Sequence, residues 1–66
     1  MKIIKIEDVR GELWYINPET IMRFYSQEHT LSYYASPITC TYIKFSDDKA
    51  IRTKLTPEEL LLLIRG

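Results

Sequence analysis

The most informative stretch of the chain is Thr56-Pro57-Glu58-Glu59-Leu60-Leu61-Leu62-Leu63-Ile64-Arg65-Gly66. This order is typical of a short α-helix. Thr56 is a favoured N-cap, proline suits the first helical position because no N–H is needed there, and Glu59 can complete a capping box. Glu58 and Glu59 also place negative charge at the positive end of the helix dipole. We therefore predict a helix that begins directly after Thr56.

The predicted helix carries more apolar residues than one packed face needs. Residues 60–64 are all apolar, whereas a helix that lies on a small core needs a single apolar stripe. If Leu60, Leu61 and Ile64 face the core, Leu62 and Leu63 point away from it. Either another part of the chain covers these two leucines, or they pack across an oligomer interface. We predict the interface.

The chain is so short that its core must be marginal. Its 66 residues form a single domain, 1–66, and a domain of this size buries only about 60% of the surface of its unfolded chain. Disulfides, metals or oligomerisation usually support such domains. Cys40 has no second cysteine to pair with, and Cys40 and His29 together fall short of the four ligands of a structural zinc site. We expect no metal, no cofactor, and a homodimer or larger homo-oligomer.

The charge balance and the apolar runs bound the location and the partners. Nine basic and nine acidic side chains cancel, whereas dedicated nucleic-acid binders are usually basic. This balance disfavours that class but leaves room for a local basic patch. Residues 1–8 contain no apolar run of signal-peptide length, and the leucine run is too short to span a bilayer. We expect a cytoplasmic protein with no membrane association.

A first β-hairpin follows from the alternation of apolar residues near the start of the chain. Residues 3–8 pair with residues 12–16 around a three-residue loop that ends in Gly11. Glycine suits the left-handed conformation which such a loop requires at its last position. The resulting register places Ile6 opposite Trp14 and makes one face of the hairpin wholly apolar.

A second hairpin is predicted from residues 39–46 and residues 50–55. A three-residue loop that ends in Lys49 places Phe45 opposite Ile51, so that apolar residues again pair across the strands. Lysine is less suited than glycine or asparagine to the last position of such a loop.

The segment between the hairpins supplies a middle strand, 21–26, and a polar connection, 27–37. The predicted fold class is therefore α+β: a small antiparallel β-meander of about five short strands with one C-terminal helix packed on one face. The predicted core consists of Ile4, Ile6, Trp14, Ile16, Met22, Phe24, Ile43, Phe45, Ile51, Leu60, Leu61 and Ile64.

No catalytic constellation is visible in the sequence. His29 is the single histidine and lies in the polar connection, while Cys40 alternates with threonines on a strand, as a small, partly buried hydrophobe would. With only two glycines, the chain has no phosphate-binding glycine loop. We predict that the protein is not an enzyme.

The second hairpin offers one unusual surface. Its predicted register places Lys44 opposite Arg52 and Tyr42 opposite Lys54, and like charges directly opposite each other are unfavourable unless something neutralises them. The group that neutralises these cations is either Glu7 or another acidic side chain of a neighbouring strand, or else an anionic partner. Tyr42, Lys44, Arg52 and Lys54 are therefore the nucleic-acid candidates, since cations hold phosphates and tyrosines stack with bases.

The polar connection contains a second candidate surface, formed by Tyr33 and Tyr34. Exposed tyrosines are enriched at protein interfaces because they bring a large contact area with few rotatable bonds. The alternative is that both rings fold back and cover the edge of the sheet.

Three segments of the chain resemble two bacterial families. They are Tyr15-Ile16-Asn17-Pro18-Glu19-Thr20-Ile21, Tyr42-Ile43-Lys44-Phe45-Ser46-Asp47-Asp48-Lys49 and Lys54-Leu55-Thr56-Pro57-Glu58-Glu59-Leu60. Their order resembles the small FlbD-type flagellar proteins, in which a strand, an Asn-Pro-acidic turn, a hairpin and a Ser/Thr-capped helix follow one another. It also resembles the second half of LytTR-type DNA-binding domains, which end in a strand, a strand and a helix. The resemblance implies the predicted fold and a regulatory role; the chain departs from both families in having Asp48 where they usually place glycine, and in its longer 27–37 connection.

These observations favour a small non-enzymatic regulatory or adaptor protein that acts through protein–protein binding and self-association. One alternative is a transcriptional regulator that binds nucleic acid through the basic face of the second hairpin. Another is a phage- or plasmid-encoded inhibitor of a host protein, which the size of the chain fits equally well.

Overall fold

The computed structural model describes residues 2–66 and confirms the α+β class. Five strands are followed by one helix, and a single 3-10 turn precedes the third strand. The elements are β1 (Ile4–Glu7), β2 (Leu13–Ile16), the 3-10 turn (Pro18–Thr20), β3 (Ile21–His29), β4 (Ile38–Phe45), β5 (Ala50–Thr53) and α1 (Pro57–Arg65).

The five strands form two antiparallel sheets. β1 and β2 make a two-stranded sheet, and β3, β4 and β5 make a three-stranded sheet in that order. An isolated bridge between Asp8 and Thr53 joins the sheets, and beside it the Val9 N–H donates to the Arg52 carbonyl at 2.9 Å. The end of the first hairpin is thereby fastened to β5.

The first hairpin has the predicted register. Ile4 pairs with Ile16 and Ile6 with Trp14. Gly11 has φ of +91°, which is the left-handed conformation that the three-residue loop requires.

The second hairpin turns one residue earlier than predicted, which shifts the cross-strand pairing by two residues. The residue in the left-handed conformation explains the shift. The Phe45 N–H donates to the Lys49 carbonyl at 2.9 Å, so the loop consists of residues 46–48 and its last residue is Asp48, at φ of +69°. Aspartate tolerates this conformation better than lysine does. The Lys49 N–H also donates to the Asp47 carboxylate at 3.1 Å, which fixes the turn.

This shift changes every cross-strand pair of the second hairpin. The observed pairs are Thr41–Thr53, Tyr42–Arg52, Ile43–Ile51 and Lys44–Ala50. The predicted pairing of Phe45 with Ile51 was therefore wrong, as were the pairings of Lys44 with Arg52 and of Tyr42 with Lys54. Because the shift is by an even number of residues, each side chain keeps the face that was predicted for it.

The core lies between the two sheets and α1. Its buried apolar residues are Ile4, Ile6, Ile16, Ile43, Phe45, Ile51 and Leu60, with Ile21, Phe24, Leu55 and Ile64 packed against them. Three predicted core residues, Trp14, Met22 and Leu61, are exposed instead. Trp14 lies at the margin, where its indole N–H donates to the Asp8 carboxylate at 2.8 Å. Met22 falls at an irregularity in the β3–β4 pairing, and Leu61 flanks the buried stripe of the helix.

Two buried threonines fasten the segment between β5 and α1. The Thr41 hydroxyl donates to the Leu55 carbonyl at 2.5 Å, and the Leu55 N–H donates to the Thr53 hydroxyl at 3.3 Å. The Thr53 hydroxyl in turn donates to the Glu7 carbonyl at 2.8 Å. Both polar groups of Leu55 are thereby satisfied, and β5 is tied to β1.

The helix begins as predicted. The Thr56 hydroxyl accepts a hydrogen bond from the Glu59 N–H at 3.1 Å, and the Glu59 carboxylate accepts one from the Thr56 N–H at 3.0 Å. This capping box satisfies two backbone donors of the first turn. It fixes the start of α1, and with it which leucines face the core.

Asp8 organises the turn of the first hairpin and makes its stability depend on pH. Its carboxylate accepts hydrogen bonds from the Trp14 indole N–H and from the N–H groups of Arg10 and Glu12, at 2.8, 2.8 and 3.0 Å. The Trp14 bond, followed by the backbone bonds, holds the pKa of Asp8 below its ordinary value of 3.8. Ionised Asp8 therefore stabilises the fold fully above pH 3.8, and that contribution is lost as the pH falls through the lowered pKa.

We expect Asp8→Asn to lower the melting temperature near neutral pH, because an amide cannot accept all three bonds. The difference from the wild type should shrink as the pH falls below 3.8. Thermal melts followed by circular dichroism at several pH values measure this. Glu12→Gln, which alters a carboxylate of the same turn that takes no part in these bonds, is the matched control. A wild-type advantage over Asp8→Asn that does not change with pH would contradict the assignment.

Candidate binding surfaces

The three-stranded sheet turns a face with cations and tyrosines away from the core. Because Phe24, Ile43 and Ile51 contact the core, their neighbours along each strand point to the opposite side. On that side lie Arg23 and Tyr25 of β3, Tyr42 and Lys44 of β4, and Arg52 of β5. These five residues are called the sheet face below.

A row of stacked side chains crosses the sheet face. Tyr25 lies opposite Tyr42, and their ring centroids are 5.3 Å apart with planes inclined by 35°. The guanidinium carbon of Arg52 lies 5.3 Å from the Tyr42 centroid, which is within cation–π distance. The Arg52 Nε also donates to the Gln27 side-chain oxygen at 2.9 Å. Arg52 and Tyr42 are therefore held in place from both sides.

Positive charge is concentrated at one end of the sheet face. Arg23 lies directly opposite Lys44. The Lys44 ammonium has one acidic contact, the Asp48 carboxylate at 3.9 Å, and the Asp48 side chain is almost fully exposed. An ion pair at such an exposed position contributes little to the stability of the fold. Within residues 2–66, no second carboxylate forms an ion pair with the cations of this face, and neither Glu7 nor any other acidic side chain of a neighbouring strand neutralises it.

The structure brings together three of the four nucleic-acid candidates. Tyr42, Lys44 and Arg52 share the sheet face, whereas Lys54 lies beyond the end of β5 and lines a groove beside β1 and α1 with Glu7 and Leu63. Arg23 was not among the candidates, although its alternation with Phe24 along β3 placed it on the same side as Tyr25.

Cys40 lies on the same side of the sheet but is not accessible. It pairs with Gln27 across the strands and is buried. Burial raises the pKa of its thiol above the ordinary value, and the nearby positive charge of Arg52 opposes the change. The thiol is therefore protonated at neutral pH, and Cys40 serves as a buried apolar residue of β4.

A second candidate surface is formed by three exposed apolar side chains, Ile3, Leu62 and Leu63, here called the leucine face. They line a groove of about 400 Å³ between β1 and the last turns of α1, and Lys2 and Lys5 lie at its rim. The most exposed are Leu62, at 68%, and Ile3, at 53%. Leu62 lies on the side of the helix opposite the buried Leu60, as two residues in a helix must.

The two tyrosines of the polar connection are fully accessible. Tyr33 and Tyr34 are 92% and 94% exposed, and their rings meet edge to face with centroids 5.2 Å apart. They lie in residues 30–37, which join the ends of β3 and β4, here called the tyrosine loop. β3 runs to His29, three residues farther than predicted, and the β3–β4 pairs extend past the part of β4 that pairs with β5. The rings therefore stand beyond the sheet and do not fold back over its edge.

A further groove, of about 570 Å³, opens at the flank between the two sheets. It is lined by Trp14 and Tyr15 of β2 and by Phe45 and Ile51 of the second hairpin, among others.

No cluster of three or more metal-ligating side chains occurs in the part of the chain that the structure describes. Among the same residues, no helix has the length and apolar character needed to cross a membrane.

Comparisons of the chain with family models, with curated proteins and with solved structures gave no match.

Proposed function

We propose that this chain is a small, cytoplasmic, non-enzymatic regulatory or adaptor protein that self-associates through the leucine face and acts by binding another protein. The observation that carries the proposal is the exposure of Ile3, Leu62 and Leu63 around one groove. The resemblance to small flagellar and regulatory proteins agrees with this role.

The leucine face has the composition of an interface centre. Fully burying one large aliphatic side chain contributes roughly 1.5–3 kcal/mol. In a two-fold symmetric dimer each residue is buried twice, so the same three side chains contribute six times. Because Ile3, Leu62 and Leu63 are 53%, 68% and 38% exposed in the single chain, burying what remains contributes roughly 5–10 kcal/mol. This gain is comparable to the entropic cost of association, which is on the order of 4–15 kcal/mol. Lys2 and Lys5 surround the apolar centre with charge, which is the usual arrangement of a rim.

The helix that carries Leu62 and Leu63 is anchored on the core. The capping box fixes the first turn of α1, Leu60 is fully buried, and Ile64 packs against the core. A helix anchored along this side must direct Leu62 outward. The backbone at Leu62 and Leu63 is therefore ordered before a second surface covers it, which favours binding.

The tyrosine loop is the proposed surface for the partner protein. Tyr33 and Tyr34 present nearly their whole rings to solvent at the end of the β3–β4 hairpin. The groove of the leucine face includes no residue of this loop, so we expect self-association to leave both rings accessible. Aromatic side chains of this kind are common centres of protein interfaces.

Self-association is tested with Leu62→Glu, measured by sedimentation velocity at several concentrations. We expect the variant to be a folded monomer under conditions in which the wild type associates, because the interface would bury two carboxylates without partners. Leu31→Glu makes the same change at an exposed leucine of the tyrosine loop and should leave association unchanged. Circular dichroism verifies that both variants are folded. A folded Leu62→Glu variant that associates as the wild type does would contradict the proposed interface.

A further inference from the structure

We propose that the sheet face binds single-stranded nucleic acid, with a base stacked on Tyr25 and a phosphate held between Arg23 and Lys44. This activity goes beyond the proposed function and uses a surface separate from the leucine face and the tyrosine loop. Three features of the sheet carry it: a pair of opposed cations, a row of aromatic rings beside that pair, and the exposure of one ring.

The opposed cations create a site for an anion. Side chains directly across an antiparallel pair have Cβ atoms about 5 Å apart, so the Arg23 and Lys44 charges repel each other. Asp48 reaches only Lys44, at 3.9 Å and from an exposed position. A phosphate between the two side chains would relieve the repulsion and accept hydrogen bonds from both. Arginine is especially suited to this because its guanidinium can donate two parallel bonds to one phosphate.

The aromatic row lies next to that anion site. Tyr25 lies two residues after Arg23 on β3, and Tyr42 lies two residues before Lys44 on β4. Both rings are therefore on the same face as the two cations. Tyr42 lies between Tyr25 and Arg52, with 5.3 Å to each, so it supports the row from within. Tyr25 ends the row and is 43% exposed. Its outer ring surface is the one on which a base can stack.

This combination favours nucleic acid over an acidic protein. Glutamate or aspartate side chains would satisfy the two cations but would make no use of the adjacent ring, whereas a nucleotide joins a phosphate to a flat base. It also favours a single strand, because the faces of bases are stacked together in a duplex and become accessible only when they are unpaired. Zero net charge does not oppose the site, since Glu58 and Glu59 lie at the start of α1 and not on this face.

The experiment measures fluorescence anisotropy of labelled single-stranded DNA and RNA, and of a duplex of the same sequence, at low salt. We expect single strands to bind more tightly than the duplex. Tyr25→Ala should weaken binding of the single strand about 5- to 150-fold, the range for loss of one stacked base. Tyr25→Phe should retain the affinity because it keeps the ring. Tyr33→Ala removes an exposed tyrosine elsewhere and should have no effect.

Charge variants test the phosphate contact independently of the ring. Arg23→Gln should reduce the slope of log affinity against log salt by about 0.7, the value for one phosphate contact on a single strand. Asp48→Asn should strengthen binding, because it removes the carboxylate that competes for Lys44, and asparagine tolerates the left-handed conformation of this position. Lys49→Gln, which removes a cation outside the sheet face, is the control and should leave the salt slope nearly unchanged.

Three results would overturn the proposal. One is the absence of single-strand binding at low salt. Another is a result in which Tyr25→Ala does not weaken single-strand binding, while Arg23→Gln weakens the binding of the single strand, the duplex and a poly-glutamate peptide equally. That result would identify a general site for polyanions. The third is a loss of affinity in Tyr33→Ala as large as in Tyr25→Ala, which would move the site to the tyrosine loop. Circular dichroism of each variant confirms the fold, and the Arg23 and Asp48 variants decide the case if Tyr25→Ala does not fold.

Discussion

Replacing Leu60 with alanine is expected to lower the free energy of unfolding by about 2–5 kcal/mol. Leu60 is completely buried and is the one residue of α1 that belongs to the buried cluster between the sheets. A Leu→Ala change at such a site destabilises by about 2–5 kcal/mol, because it removes apolar contacts and leaves a cavity. A domain of 66 residues has a total stability of only about 3–10 kcal/mol at the usual value per residue. The substitution therefore removes a large share of the free energy of unfolding.

Urea unfolding followed by circular dichroism and Trp14 fluorescence measures the effect. Leu31→Ala is the matched control, since it makes the same change at an exposed leucine and should alter the stability by less than about 0.5 kcal/mol. The midpoint should fall sharply in Leu60→Ala and remain near that of the wild type in Leu31→Ala. Equal midpoints in the two variants would show that α1 is not docked on the sheets as described.

The second large effect is expected for Thr53→Val. Valine has nearly the shape of threonine and suits a strand, so the change isolates the hydroxyl. The Thr53 hydroxyl donates to the Glu7 carbonyl and accepts from the Leu55 N–H in a fully buried position. Its removal leaves two backbone groups without these partners, at a cost of about 1–3 kcal/mol each. We expect a loss of roughly 2–6 kcal/mol, large for a domain of this size.

The control for this prediction is Thr39→Val, at an exposed position of β4. It makes the same chemical change where water can solvate the backbone, and should be neutral or slightly stabilising. Thermal or urea unfolding compares the two variants with the wild type. If Thr53→Val were as stable as Thr39→Val, the hydroxyl would not be the fastening between β1 and β5.

The contrast between the two hairpins shows what the sequence could specify. In the first hairpin, the position of Gly11 and the apolar pairing of Ile6 with Trp14 both favour the same register. In the second, apolar pairing favoured a loop that ends in Lys49, whereas left-handed geometry favours one that ends in Asp48, and the geometry prevailed. Both registers place the same apolar residues on the core face, so apolar alternation could not distinguish them. The backbone requirement of the tight turn therefore determined the register.

Buried threonines could not be identified from alternation. Thr41 and Thr53 occupy core-facing positions of their strands, but their hydroxyls are satisfied by carbonyl and N–H groups from Glu7 and Leu55, which lie in other segments. Only the assembled fold shows that these partners are present. The exposure of Trp14 has a similar origin, because it depends on the Asp8 carboxylate at the margin of the core.

The sheet face was predictable in part. The alternation along β4 and β5 was sufficient to place Tyr42, Lys44 and Arg52 together. The end of β5 at Thr53 was not predictable, because Lys54 and Leu55 continue the alternation while the buried threonines turn the chain toward α1. Arg23 joins the face through the pairing of β3 with β4, which depends on the length of the connection between these strands.

Whether the chain self-associates is decided by the mass of the wild-type protein in solution. Light scattering coupled to size-exclusion chromatography, over a wide range of loading concentrations, gives this mass. Self-association through the leucine face predicts a mass of at least twice the 7.9 kDa of one chain at the higher concentrations, falling toward that value only on dilution. A mass of 7.9 kDa at every concentration would contradict the claim and would leave Ile3, Leu62 and Leu63 exposed in the free protein.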